Sequence, residues 1–243
     1  MPHLQQECDN IKKRILALGA LAEESVQMAN KAIVTRDTAL AHEVIMADLE
    51  IDEAEVEIEE ECLKVLALYQ PVAVDLRFLV AIIKINNDLE RVGDEAVNIA
   101  QRVEALAKWP ELSLVFDYAA MASMVQKMLG HSLDALVKLD LDTAFRVLVL
   151  DDEVDHFNRQ VYETVKESLR KDNAHPGFMI NLMLVSRHLE RIADHATNIA
   201  EEVIMLVEGE ILRHRRRELE GLESLSRHQQ NPNWTPAGMS PRK

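Results

Sequence analysis

The chain has 243 residues, and its 42 aspartates and glutamates outnumber 27 lysines and arginines to give a formal net charge of −15. A surface of this sign repels phosphate backbones, which argues against direct binding of DNA or RNA. Only seven glycines, seven prolines and 4% aromatic residues occur, and this composition is typical of proteins built from long helices.

Six helices are predicted in chain order. Their expected ranges are 3–35, 38–69, 74–108, 112–139, 141–171 and 177–208. Asp37 and Asp140 are the expected N-caps of the second and fifth helices, because each precedes a new apolar period. Pro71, Pro110 and Pro176 interrupt the helical pattern, since the residue before a proline disfavours the α conformation.

The third and sixth helices each carry an apolar stripe whose members alternate three and four residues apart, the pattern of a bundle core. The two stripes consist of Ile82, Ile85, Leu89, Val92, Ala96, Ile99, Val103 and Leu106, and of Leu182, Val185, Leu189, Ile192, Ala196, Ile199, Val203 and Leu206. Long helices joined by short connections form antiparallel bundles. We therefore predict an all-α protein.

The chain contains an internal duplication. Residues 89–100 read LERVGDEAVNIA and residues 189–200 read LERIADHATNIA, with eight of the twelve positions identical. The second and fifth helices are related too, because Asp48, Glu50 and Asp52 recur 103 positions later as Asp151, Glu153 and Asp155. Self-similarity of this kind is typical of repeated structural units.

The duplication predicts two tandem three-helix bundles, with the first over residues 1–109 and the second over 110–212. A polar and partly basic tail follows at 213–243, and its composition predicts disorder. Cys8 and Cys62 show no metal-type spacing, which predicts free thiols in a reducing compartment. With no apolar signal core and no apolar run long enough to span a bilayer, we expect a cytoplasmic protein.

Each copy of the repeat carries carboxylates four residues apart, which places both on one stripe of a helix. The pairs are Glu90 with Asp94, Glu190 with Asp194, Asp48 with Asp52, and Asp151 with Asp155. On the third and sixth helices the stripe lies roughly opposite the apolar stripe. It is therefore expected to face solvent or a partner, and neighbouring helices that align their stripes would gather four carboxylates in each repeat.

Two interpretations of these carboxylates remain open. Gathered carboxylates repel each other, and a bound cation would relieve the repulsion. Oxygen ligands suit divalent or iron-type ions such as Mg²⁺, Ca²⁺, Mn²⁺, Zn²⁺ or iron. The alternative is an ordinary solvated acidic face. The stripe residues are unchanged between the copies, whereas several nearby positions differ, which favours a metal site. These positions include Asp88/His188, Gly93/Ala193, Glu95/His195 and Val97/Thr197.

For other polar residues of the repeats we expect structural roles on the protein surface. Arg91 and Arg191 are expected to form exposed salt bridges along their own helices. His188 and His195 are expected on the surface, although His195 could join a metal cluster beside Asp194.

An enzymatic role has little support in the sequence. Glu153 and His156 have the spacing found in ferritin-like di-iron sites, but such sites need two of these motifs inside a bundle, and the second is absent. The sequence also lacks the motifs of nucleophilic or phosphate-cradling sites, so any enzyme would depend on a metal.

The two repeated segments, together with LYQPVAVDLRFL at 68–79 and VEGEILRH at 207–214, resemble the signature of the PhoU family of phosphate-specific transport regulatory proteins. The resemblance implies two tandem three-helix bundles, frequent homodimerisation, and metal binding by the paired carboxylates. It also implies negative regulation of phosphate uptake and of the phosphate-starvation response. No catalytic activity follows from it.

The partners implied by the same resemblance are the ATPase subunit of a phosphate ABC transporter and a phosphate-sensing histidine kinase. The protein would then be an adaptor that reaches the membrane only through these partners. Two alternatives are a carboxylate-bound metal enzyme of ferritin-like type and a purely structural helical scaffold.

Overall fold

The computed structural model describes residues 2–109, 112, 116–170 and 175–209. Within these residues the chain forms six helices and no strand, which confirms the all-α prediction. The helices are α1 (Pro2–Thr35), α2 (Thr38–Tyr69), α3 (Val74–Leu106), α4 (Tyr118–Lys138), α5 (Leu141–Ser168) and α6 (Pro176–Glu208). None of the described helices is both long and apolar enough to cross a membrane.

Aspartate side chains set three of the helix starts. Asp37 accepts hydrogen bonds from the second and third backbone N–H groups that follow it, and Asp140 does the same at the start of α5, so both predicted N-caps are confirmed. Asp117 accepts from the backbone N–H of Ala120 at 2.9 Å and caps α4. The predicted start of α4 at residue 112 was therefore wrong, because the cap at Asp117 was overlooked.

The apolar stripes of α3 and α6 form the centre of the molecule. Every predicted stripe residue is buried except Leu206, which is half-buried. α3 lies against α1 and α2, while α6 lies against α4 and α5, as expected for two three-helix bundles. The bundles also contact each other through α3 with α6 and α1 with α4.

The bundle bounds at 110 and 212 and the tail at 213–243 fall outside the described residues and stay predictions. The two cysteines lie inside the first bundle as free thiols, in agreement with the sequence analysis. Burial raises the pKa of the Cys62 thiol to about 12, and the nearby Cys8 adds to the rise. Cys62 is therefore a packed core side chain with little thiolate character.

Candidate functional site

The structure brings the carboxylates of α2 against those of α3. A Cβ atom added at Gly93 would lie 2.9 Å from Oδ1 of Asp48 and 3.1 Å from Cδ1 of Ile51, closer than side chains normally approach. Because Gly93 has no side chain, α2 can approach α3 until the Asp48 carboxylate packs against the α3 backbone at Gly93. Asp52 on α2 and Asp94 on α3 are close enough to Asp48 to perturb its ionisation.

The electrostatics of this first cluster oppose full ionisation. Burial, followed by the charges of Asp52 and Asp94, raises the pKa of Asp48 to about 6. Burial and the neighbouring Asp94 raise the pKa of Glu90, while Arg91 offsets part of the rise. Partial desolvation and the Asp52 carboxylate raise the pKa of Asp94. The cluster therefore carries excess negative charge that a bound cation or proton would relieve.

A buried carboxylate oxygen of Asp48 also favours a bound cation. Its Oδ1 atom is buried and has no hydrogen-bond partner in the structure, which is costly for a carboxylate oxygen. A cation bound by Asp48, Asp52, Glu90 and Asp94 would give this atom a partner, and the all-oxygen donor set fits hard divalent or iron-type ions.

The donors nevertheless do not converge on one point. Among the residues that the structure describes, no group of three or more His, Cys, Asp or Glu side chains is arranged to hold a metal ion. The chemistry of the cluster thus fits a cation, and binding would require rotation of its side chains.

A second cluster lies between α5 and α6. Burial raises the pKa of Glu190, and the charges of Asp194, Asp155 and Asp151 raise it further against the opposing charge of Arg187. Ala193 replaces Gly93 at the equivalent place on α6. The equivalent aspartates also differ in burial, since Asp151 is buried and Asp48 is half-buried.

The eight predicted carboxylates therefore gather into the two groups that the repeat pattern allowed. Their stripes face a neighbouring helix and only partly face solvent. Asp151 is buried; Asp48, Glu90, Asp155 and Glu190 are half-buried; and Asp52, Asp94 and Asp194 are exposed.

A polar network that was not predicted from the sequence joins the two bundles. Asp88 and Glu95 of α3 are only 8% and 3% exposed. The Nδ1 atom of His195 lies 2.9 Å from Oδ1 of Asp88, and that of His188 lies 2.6 Å from Oε2 of Glu95. The prediction that both histidines are surface residues was wrong, because α6 packs against α3 at these positions.

The same network includes Arg191. Its Nη1 atom lies 2.7 Å from Oε1 of Glu95, so this salt bridge crosses between the bundles and the prediction of a bridge within its own helix was wrong. Burial alone would raise the pKa of Glu95, but the hydrogen bond with His188 and the charge of Arg191 outweigh it and lower the pKa. Arg91 is exposed, and its Nε donates to Oδ1 of Asn87 at 3.1 Å along α3.

The sequence did carry a signal for this network. Two of the positions that differ between the repeats hold an acid in α3 and a histidine in α6. In the structure these positions contact each other crosswise, since Asp88 meets His195 and Glu95 meets His188. The substitutions are thus complementary, and this complementarity identifies the facing surfaces of antiparallel α3 and α6.

The ferritin-like motif lies in the wrong place for a di-iron site. Glu153 and His156 are both exposed on α5, and His156 contacts the side chain of Gln160 one turn further along the same helix. A ferritin-like centre requires its ligands to project into the bundle interior. These two residues do not meet that requirement.

Comparison with known proteins agrees with this architecture. The PhoU domain family model matches residues 15–103 and 118–203, once in each bundle. A phosphate-specific transport system accessory protein PhoU homolog from Pseudomonas aeruginosa is 37% identical over 209 residues, which cover 86% of each chain. The homolog of the same description from Aquifex aeolicus is 38% identical over 211 residues, covering 87% of this chain and 96% of that protein.

Solved structures show the same likeness in three dimensions. The crystal structure of PhoU from Pseudomonas aeruginosa superposes with a TM-score of 0.80 at 37% identity, covering 85% of this chain and 99% of that chain. The phosphate transport system regulatory protein PhoU from Streptococcus pneumoniae gives a TM-score of 0.78 at 26% identity, covering 86% and 98%. With both repeats matched and the whole six-helix arrangement shared, the chain belongs to the PhoU family.

Proposed function

We propose that this protein is a cytoplasmic negative regulator of phosphate uptake and of the phosphate-starvation response. The observation that carries the proposal is the match of the PhoU domain to both bundles. Relatives that are 37% and 38% identical over the aligned residues are described as accessory proteins of phosphate-specific transport. In this role the protein acts by binding other proteins and performs no catalytic step.

The regulatory role is tested in the source organism with a reporter for phosphate-starvation genes. Deleting the gene is expected to activate the reporter in high phosphate, and restoring the full chain is expected to silence it. A reporter that stays silent in high phosphate after deletion would contradict the role. A deletion strain that the restored gene does not silence would contradict it as well.

The partners of the adaptor role are a phosphate ABC transporter ATPase subunit and a phosphate-sensing histidine kinase. Contact with them would bring the protein to the membrane without a spanning helix of its own. Affinity capture of each purified partner by the full chain tests this step, and sedimentation of the full chain alone tests the homodimer implied by the family. Failure to capture either partner would remove the adaptor part of the proposal.

We further propose that the carboxylate clusters bind metal ions. Asp48, Asp52, Glu90 and Asp94 would hold a cation in the first repeat. Asp151, Asp155, Glu190 and Asp194 would do so in the second. When bound, the cation supplies positive charge that offsets the repulsion within each cluster and ties α2 to α3 and α5 to α6. The support is the raised pKa of Asp48 and its buried Oδ1 atom without a partner.

Elemental analysis and thermal unfolding test this site. A ligand that binds the native state raises the unfolding temperature, so Mg²⁺ or Mn²⁺ is expected to raise that of the wild type. The variant with Glu90→Gln, Asp94→Asn, Glu190→Gln and Asp194→Asn keeps the side-chain shapes and is expected to lose most of this effect. Equal metal content and equal unfolding shifts in both proteins would contradict these sites. No metal and no unfolding shift in either protein would support a purely structural scaffold with a solvated acidic face.

A further inference from the structure

The outward face of α2 carries a regular row of exposed apolar side chains. Met46, Leu49, Val56 and Leu63 are 63%, 62%, 52% and 54% exposed. They are separated by three, seven and seven residues, which keeps them on one side of the helix. These four residues are called the α2 outer stripe below.

The described chain leaves this stripe uncovered. Within the described residues α2 contacts only α1 and α3, and its buried residues Ala41, Val44, Ile51, Ile58, Cys62 and Val65 face them. Single exposed apolar residues are normal on a protein surface. A row at the spacing of a coiled-coil seam is different, because it matches the apolar face of another helix.

The duplication supplies an internal reference for this surface. At the positions of α5 equivalent to Leu49, Val56 and Leu63 stand Asp152, Arg159 and Lys166. All three are exposed, Arg159 pairs with Asp155 at 3.4 Å, and Lys166 pairs with Glu163 at 3.1 Å. At three of the four stripe positions the sister bundle thus has an ordinary charged, solvated face, while exposed Val149 stands in place of Met46. The fold itself therefore does not require apolar residues at the positions of Leu49, Val56 and Leu63.

Charge identifies the kind of partner that fits the stripe. Glu53 and Glu60 lie within it and are exposed, and further acids border it on both sides. These bordering acids are Glu50, Asp52, Glu57 and Glu59. A second copy of α2 laid on this surface would set acid against acid. A basic helix would instead pair its charges with these carboxylates at the rim of the contact.

We propose that the α2 outer stripe is a docking site for a basic amphipathic helix of a partner protein. The partner's apolar residues lie on Met46, Leu49, Val56 and Leu63, and its lysines or arginines face Glu53 and Glu60. This assignment rests on the adaptor function proposed above, to which it adds the binding face and the chemistry of the bound segment. Asp52 belongs to the first carboxylate cluster and also borders the stripe, so the docking surface and the proposed metal site adjoin along α2.

The test uses the purified full chain and two labelled helical peptides of matched design. One peptide carries leucines at the spacing of the stripe with flanking lysines, and the other replaces the lysines by glutamates. The key variant is Leu49→Asp, Val56→Arg and Leu63→Lys, which transfers the α5 residues to α2. The control makes the same three charge changes at other exposed apolar residues, as Val149→Asp, Ile180→Arg and Val137→Lys.

Fluorescence anisotropy is expected to show binding of the basic peptide to the wild type and the control, with at least a tenfold loss in the key variant. The Glu53→Lys, Glu60→Lys variant is expected to lose the basic peptide and bind the acidic one. Circular dichroism checks that every variant remains helical, as expected for exposed positions.

Several outcomes would overturn the docking site. These are no binding of the basic peptide, equal binding by the key variant and the wild type, and equal binding of both peptides. A wild-type dimer that the key variant dissociates would assign the stripe to a second copy and also overturn the proposal. None of these results depends on the reporter experiment, so the docking site and the regulatory function fail separately.

Discussion

Replacing Asp48 by asparagine removes one charge from the first cluster and keeps the shape of the side chain. The folded protein holds a proton on Asp48 up to about pH 6, against an ordinary value of 3.8. The folded state therefore binds more protons than the unfolded state between these two pH values, so Asp48 lowers stability as the pH rises through this range. Above about pH 6 the ionised Asp48 carboxylate lowers the stability of the fold by its full amount.

The size of this cost follows from the shift. The separation between 3.8 and about 6 corresponds to about 3 kcal/mol. Solvent screening at the half-buried carboxylate reduces it to roughly 1–2 kcal/mol. The Asp48→Asn variant should gain that amount of unfolding free energy at about pH 7.5 and nothing near pH 4, where the wild type is already protonated.

Urea unfolding followed by circular dichroism, with a chelator present at every pH, measures this difference. The matched control is Asp152→Asn on the exposed face of α5, which should stay within about 0.5 kcal/mol of the wild type at each pH. If Asp48→Asn is no more stable than the wild type at about pH 7.5, the repulsion assigned to this cluster is refuted. A gain of the same size near pH 4 would refute the assignment to ionisation.

Three further substitutions test other contacts in the structure. Glu95→Gln should lose about 2–3 kcal/mol of unfolding free energy because it breaks a buried charge network between the bundles, whereas exposed Glu104→Gln should lose less than about 0.5 kcal/mol in the same urea titration. Gly93→Ala should displace the Asp48 carboxylate, so its thermal unfolding should respond less to Mg²⁺ or Mn²⁺; an unchanged response would argue against the first metal site. Asp37→Ala should cost about 1 kcal/mol through loss of the α2 N-cap, and an unaffected unfolding midpoint would contradict the capping role.

Sequence alone predicted the parts of the fold that depend on local periodicity. The stripe from Ile82 to Leu106 identified α3 and its buried side, and Asp37 and Asp140 marked helix starts through hydrogen bonds within three residues. The gathering of carboxylates was predictable too, since the repeat places consecutive antiparallel helices side by side. Each of these features needs only the order of residues along one helix or across one short turn.

The contacts between the two bundles could not be predicted from the periodicity of single helices. Nothing in the periodicity of α3 tells which distant helix will lie on Asp88 or Glu95, so the histidines of α6 were assigned to the surface. The importance of Gly93 was equally hidden, because the approach of Asp48 depends on the distance between two helix axes. The α2 outer stripe was not predicted as an exposed surface. An apolar stripe in a sequence does not show which side of a helix is covered by its neighbouring helices.

The crosswise contacts of Asp88 with His195 and Glu95 with His188 also have a consequence for assembly. Two first bundles brought together along α3 in the same antiparallel arrangement would set Asp88 against Glu95 at both contacts. Two second bundles joined along α6 would set histidine against histidine. Only the unlike pairing is complementary, so the two halves of the chain select each other and disfavour exchange with the like half of a neighbouring molecule.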